Sequence, residues 1–160
     1  MEASTLPFAI GERTTRRVVF SAQSIREFAE RSGDMNPLHH DEAVAAQSAF
    51  GTLIASGPHV VALMMGLDAS FLSARGESLG IEFAFRFVKA IPADKELVLE
   101  WRVSACRPTP GGSGHIVSVE GRAADDAGTI FVEGRGDNLI RAAAETLDPS
   151  ERARRDGRRF

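Results

Sequence analysis

Sulfur chemistry is nearly absent from this sequence, which carries a single cysteine, Cys106, in 160 residues. One thiol cannot close an internal disulfide or build a Cys-rich metal site, and it suits a reducing compartment. Its alternating, apolar neighbourhood reads as that of a small packing residue, not of a nucleophile. A large excess of charge of either sign is missing too, with 19 Lys and Arg against 22 Asp and Glu. A formal net charge of −3 gives no global pull toward nucleic acid or an anionic membrane surface. The most apolar window, Leu53 to Leu72, is broken by Ser56, Gly57, Pro58, His59 and Asp68, which a lipid-spanning helix would bear at considerable cost. That window reads as a buried core helix. Met1 to Arg17 lacks the basic-then-apolar order of a signal peptide, with Glu2 early and Pro7 inside the short stretch Leu6 to Ile10. A cytoplasmic address is expected.

What is present is ordinary for a soluble globular protein, 43% hydrophobic and 26% charged residues, in a length that suits one domain with a real core. The expected division is a single domain over 1–141 and a polar, basic tail over 142–160. The tail carries Arg152, Arg154, Arg155, Arg158 and Arg159 and reads as a solvated terminus. No internal repeat or low-complexity tract is evident.

Along the chain, Arg16 to Phe20 reads as a short first strand. Ser21 is placed to cap a helix over Ala22 to Arg31, in which Ile25, Phe28 and Ala29 fall at helical spacing, and Gly33 sits where a terminating glycine belongs. A polar loop follows, then a short helix over Asp41 to Gln47 with Asp41 able to cap it. Gly51 to Gly57 connects into the long helix, for which Pro58 is a natural first-turn residue. This helix is apolar on nearly every side, as expected of one surrounded by protein. After Gly76 the period changes to two. Ile81, Phe83, Phe85 and Phe87 share one face, as do Leu97, Leu99, Trp101, Val103 and Ala105, and then Val117, Val119, Gly121 and Ala123. A weaker strand spans Thr129 to Ile140 after the turn Asp125-Asp126-Ala127-Gly128. The expected fold is α+β, an antiparallel sheet wrapped around one long central helix in the hot dog arrangement. Such a sheet leaves edges open, so a homodimer or higher homo-oligomer is expected to continue it.

The informative stretch is Gly33-Asp34-Met35-Asn36-Pro37-Leu38-His39. Adding water across an activated double bond moves two protons, and a carboxylate and an imidazole flanking one water can divide that work. Enolate charge on a thioester oxygen needs donors, which amides at a helix N-terminus provide. Pro37 fixes its own φ and biases Asn36 away from helix, so the loop between acid and imidazole is stiff; Asn36 can brace it through side-chain to backbone bonds. Taken singly, each of these residues reads more readily as ordinary loop chemistry. A metal site on His39 and His40 is disfavoured, because adjacent loop side chains diverge, and His40 is assigned to the surface. No nucleophile elbow or phosphate-cradling loop is present; Gly111 to Gly114 is a hairpin tip.

The run Gly33 to His39, with Phe28-Ala29-Glu30-Arg31-Ser32 before it, resembles the hydratase signature of the MaoC-like dehydratases, which include the (R)-specific enoyl-CoA hydratases. The likeness continues through Ala45-Ala46-Gln47-Ser48-Ala49-Phe50 and Ile54-Ala55-Ser56-Gly57, and weakly through Phe85 to Asp94. The resemblance implies that Asp34 and His39 form the catalytic pair and that Gly57 donates its N–H to the thioester carbonyl. It implies an acyl-CoA substrate. Asn36, from its place in the loop, and His59, from its place at the helix start, are further substrate-binding candidates, and neither a metal nor an organic cofactor is expected. His59 reads alternatively as a buried histidine satisfied by a backbone carbonyl. Ser56-Gly57-Pro58 stands where many members have His-Gly-Met, so Pro58 removes an amide and leaves those of Gly57 and His59 as donors. Met65 replaces a serine that some members carry. Asp68 lacks an obvious partner, with Arg86 and Arg102 as candidates; Lys89 and Arg86 could meet CoA phosphates or simply face solvent. Competing readings are a hot dog thioesterase, an acyl-carrier-protein dehydratase subunit and an idle acyl-CoA-binding subunit.

Overall fold

A computed structural model describes residues 7–141; the tail expected over 142–160 lies outside the described residues. Strands β1 (Arg13–Phe20), β2 (Glu77–Phe87), β3 (Lys95–Pro108), β4 (His115–Ala124) and β5 (Ile130–Arg141) form one sheet in the order β1-β3-β4-β5-β2. Every neighbouring pair is antiparallel. Between β1 and β2 lie helices α1 (Ala22–Ser32), α2 (Glu42–Gln47) and α3 (Gly57–Ser73). This is the expected hot dog arrangement.

Cap chemistry sets the helix boundaries. The Ser21 hydroxyl accepts from the Ser24 N–H at 3.1 Å, and Gly33 closes α1 at φ 74°, a left-handed conformation that costs glycine little. Asp41 stays outside α2 and caps it, its carboxylate accepting from the amides of Ala43 at 2.8 Å and Val44 at 3.1 Å. β1 begins earlier than expected, at Arg13, because pairing with Arg102 on β3 supports a polar stretch whose own propensity is weak.

The core forms where α3 lies on the sheet. Val60, Met64, Leu67 and Leu72 are buried against Leu97, Leu99, Trp101 and Val103. Trp101 is fully buried and donates Nε1–H to the Met64 carbonyl at 2.7 Å, which ties the sheet to the middle of α3. Burying an indole removes ~150–250 Å² from water, about 4–6 kcal/mol at roughly 25 cal/mol per Å². Its space comes from glycines: a Cβ on Gly134 would lie 2.9 Å from Trp101 Cη2. Phe83 and Phe85 meet the indole edge-on, with centroids at 6.0 and 6.1 Å.

Three expectations need correction. The described residues do not enclose α3, since Ala62, Met65, Gly66 and Ala69 face outward among them. A bulge between Val103 and Ala105 shifts the alternation, so that Cys106, opposite Val117, packs on the core in place of Ala105. A second bulge, between Gly80 and Glu82, leaves Ile81 exposed, off the face that Phe83 and Phe85 share, and Phe87 is 55% exposed. Among the described residues no helix is long and apolar enough to cross a membrane.

Asp68 is buried in α3 without either expected arginine: Arg86 pairs with Glu133 and Arg102 with Glu120. Its polar neighbour is Asn138 on β5, yet among the described residues Asp68 Oδ1 and Asn138 Nδ2 both lack a well-formed hydrogen bond. Burial pushes the carboxyl up to about 6, and Asn138 pulls back against that rise.

Candidate active site

The end of α1 fixes the first functional side chain. Where Gly33 turns, the Asp34 N–H donates to the Ala29 carbonyl at 2.9 Å, so the backbone of Asp34 is tied to the last turn of the helix. The Asp34 carboxylate accepts from the Asn36 N–H at 3.1 Å, and the Asn36 side-chain oxygen accepts from the Leu38 N–H at 3.1 Å. Asn36 is extended (φ −61°, ψ 119°), as the residue before a proline must be, and Pro37 opens a single tight turn through His39. Asn36 thus braces the loop with its oxygen; its side chain is exposed.

His39 points inward from this turn and is only 6% exposed. Its Nδ1 lies 2.7 Å from the Ile54 carbonyl. A carbonyl only accepts, so Nδ1 carries the hydrogen, and Nε2 is the nitrogen free to gain or lose a proton. Nε2 lies 3.4 Å from Asp34 Oδ2. The five-residue offset therefore does bring the carboxylate and the imidazole together. Ile54 is itself anchored: its N–H donates to the Leu38 carbonyl at 3.1 Å, and it bridges to Pro92. The imidazole is buried while the Asp34 side chain keeps 30% of its surface, so the pair opens toward solvent on the carboxylate side.

His40 is not the surface residue expected. Its Nε2 lies 2.6 Å from the Asp34 carbonyl, and its own carbonyl accepts from Arg26 Nε at 3.3 Å. The loop is clamped from behind by a side chain that spacing alone could not assign, because its partner is a main-chain oxygen exposed by the fold of that loop.

Gly57 is the first residue of α3. The Phe87 ring sits against it, and a Cβ there would lie 2.9 Å from Phe87 Cζ. Gly57 and Ser56 line a cavity of about 340 Å³ with Phe50, Val60, Phe87 and Val132, and Lys89 stands at the same cavity. The His59 amide, expected to be free, donates to the Ser56 carbonyl at 3.1 Å. The His59 ring stacks on Phe28 (centroids 4.6 Å, planes 5° apart) and meets Phe20 edge-on at 5.2 Å. Among the described residues no backbone carbonyl satisfies its Nδ1, and burial between two rings where α1 meets α3 lowers its pKa. Arg86 is engaged by Glu133 at 2.9 Å. Among the described residues no three His, Cys, Asp or Glu side chains are placed to hold a metal ion.

Residues 8–120 match the family model of the MaoC-like domain, well over half of the chain. The chain belongs to the MaoC-like dehydratase family. The MaoC-like match takes in the Asp34–His39 loop, α3 and most of the sheet. The chain is 33% identical over 107 residues to the (R)-specific enoyl-CoA hydratase of Aeromonas caviae, covering 67% of this chain and 78% of that protein. Its fold is similar to the solved (R)-hydratase from A. caviae involved in PHA biosynthesis, with a TM-score of 0.74, 27% identity, and 83% and 97% of the two chains covered. A MaoC-like dehydratase from Rhodospirillum rubrum matches with a TM-score of 0.74 at 25% identity, over 86% of this chain and 96% of that one.

Proposed function

We propose that this MaoC-like protein hydrates and dehydrates enoyl and 3-hydroxyacyl thioesters, with Asp34 and His39 as the catalytic pair. The observation that carries this reading is His39 itself, with Nδ1 anchored on the Ile54 carbonyl and Nε2 turned to Asp34 Oδ2 at 3.4 Å. Two proton-accepting atoms then flank one small space, where a single water can be held by both of its hydrogens. In the hydration direction the water oxygen bonds to Cβ, the double-bond electrons move onto the thioester oxygen, and one water proton passes to the pair. The pair returns one proton to Cα as the enolate collapses, so it ends the cycle with the protons it started with. Gly57 N–H, at the positive end of α3, stabilises the enolate oxygen. Anchoring Nδ1 makes every proton exchange of the imidazole pass through Nε2.

CoA is the proposed thioester handle, on the 33% identity to a hydratase named for enoyl-CoA. A homodimer is the proposed assembly. The outward face of α3 and the edge of β2, unpaired among the described residues and with Leu79 and Ile81 60% and 58% exposed, form an apolar surface that a second copy would cover. The unpaired thiol of Cys106, packed on the core, is consistent with the cytoplasm as its compartment.

The test is loss of enoyl absorbance across trans-2-enoyl-CoAs of increasing length, including a dicarboxylic one, in parallel with the matching acyl-carrier thioesters and with a free-thiol assay. Hydration of one or more enoyl-CoAs without thiol release is the expected result. Thiol release would identify a thioesterase, turnover of carrier thioesters alone would move the handle, and thermal stabilisation by crotonyl-CoA without turnover would indicate an idle binding subunit.

A further inference from the structure

The start of α3 is short of donors. Pro58 has no N–H, and the His59 N–H is spent on the Ser56 carbonyl at 3.1 Å. Among the described residues Gly57 N–H has no acceptor, which leaves it as the free amide of that turn. Beside it is Ser56, 1% exposed, whose hydroxyl has no hydrogen-bond partner among the described residues. A serine in this position ordinarily turns its oxygen onto the amide two or three residues on, as Ser21 does for Ser24 at the start of α1. Ser56 makes no such bond. Proline has removed one target and the other is taken by the main chain.

Buried hydroxyls in folded proteins are nearly always paired, so an orphan at a helix start calls for a role. Ser56 and Gly57 line the same cavity, whose other walls include Phe50, Val60, Phe87 and Val132. Apolar walls strengthen a hydrogen bond made inside it. Ser56 is two residues along the chain from Ile54, the residue that holds His39 Nδ1 at 2.7 Å. The orphan hydroxyl, the free amide and the support of the imidazole thus lie on one short segment.

We propose that Ser56 is a further catalytic residue: its hydroxyl donates a hydrogen bond to the thioester oxygen beside Gly57 N–H, in place of the amide that Pro58 lacks. This rests on the hydratase reading above. The hydroxyl keeps its proton throughout and forms no covalent bond; it stabilises negative charge on the oxygen as Cβ is attacked. Because that charge is greatest in the transition state, Ser56 acts on turnover more than on binding.

The experiment compares wild type with Ser56→Ala, Ser56→Cys and Ser56→Thr, in the full chain, with crotonyl-CoA as probe. The Ala and Cys variants should lose ~10²-fold in kcat with KM moved less than about threefold, the loss typical of one oxyanion donor. Ser56→Thr, which keeps the hydroxyl, should recover most of that loss. Infrared spectra of ¹³C-carbonyl crotonyl-CoA bound to Asp34→Asn, with and without Ser56→Ala, give a second readout. The bound carbonyl band should move to higher wavenumber when the hydroxyl is removed. A merely structural serine would shift the melting temperature and leave that band unmoved, and this would overturn the proposal. So would Ser56→Ala and Ser56→Cys both turning over at the wild-type rate. If wild type hydrates no enoyl thioester, the parent reading falls and this one with it; if wild type is active and the variants equal it, the assignment of Ser56 alone falls.

Discussion

Replacing Asp68 by asparagine should stabilise the protein at neutral pH and flatten its stability between pH 4 and 7. The carboxyl is 1% exposed in α3, and burial raises it from an ordinary 3.8 to about 6. The folded state therefore prefers the protonated form more strongly than the unfolded chain does. The stabilising contribution is complete below the unfolded value near 3.8 and is lost as pH rises through the folded value near 6. A rise of that size corresponds to about 3 kcal/mol. This is an upper figure, because asparagine brings its own amide to a pocket where Asn138 Nδ2 already lacks a partner among the described residues. Urea denaturation of both forms at fixed protein concentration, from pH ~4.5 to ~7.5, supplies the test. Groups common to both proteins cancel in the difference, which should grow by about 1–3 kcal/mol across that range. A difference that stays flat with pH would refute the reasoning, since an aspartate that titrates normally gives no such slope.

Other outcomes follow from the same geometry. His40→Ala should lower hydration of crotonyl-CoA by roughly tenfold or more at a stability cost of about 1 kcal/mol, because the clamp on the Asp34 carbonyl is lost; a variant with wild-type kcat would remove His40 from the account. Gly57→Ala should fold, since the new Cβ meets only the outer end of the half-exposed Phe87 ring, but it should lose activity by displacing that ring within the cavity; thermal melting and initial rates together check this. Gly134→Ala should cost about 1–3 kcal/mol in urea, its Cβ being driven against Trp101 and Phe85 in a core that cannot yield. Added chelator should leave the hydration rate unchanged.

Much of the fold could be read along the chain because its signals are local. Ser21 and Gly33 bracket α1 through cap geometry within a few residues, and Pro58 marks the first turn of α3 by what its ring forbids. The Asp34–His39 encounter was legible for the same reason, being made within one stiff loop. What escaped depends on partners distant in sequence or on main-chain atoms. The phase slip that turns Cys106 inward arises from pairing with β4, and the placement of Asp68 beside Asn138 arises from packing α3 on β5. The roles of Ile54 and His40 rest on main-chain atoms, which carry no signature in residue type. A helix apolar all round correctly announced burial, but it did not reveal that one face would stay exposed among the described residues.

The central claim is best tested by the rate of crotonyl-CoA hydration in Asp34→Asn and His39→Ala, with each variant's fold checked by circular dichroism. Turnover should fall by about 10² to 10⁴-fold in each while the spectra and melting curves remain native. Folded variants that hydrate crotonyl-CoA at the wild-type rate would contradict the account.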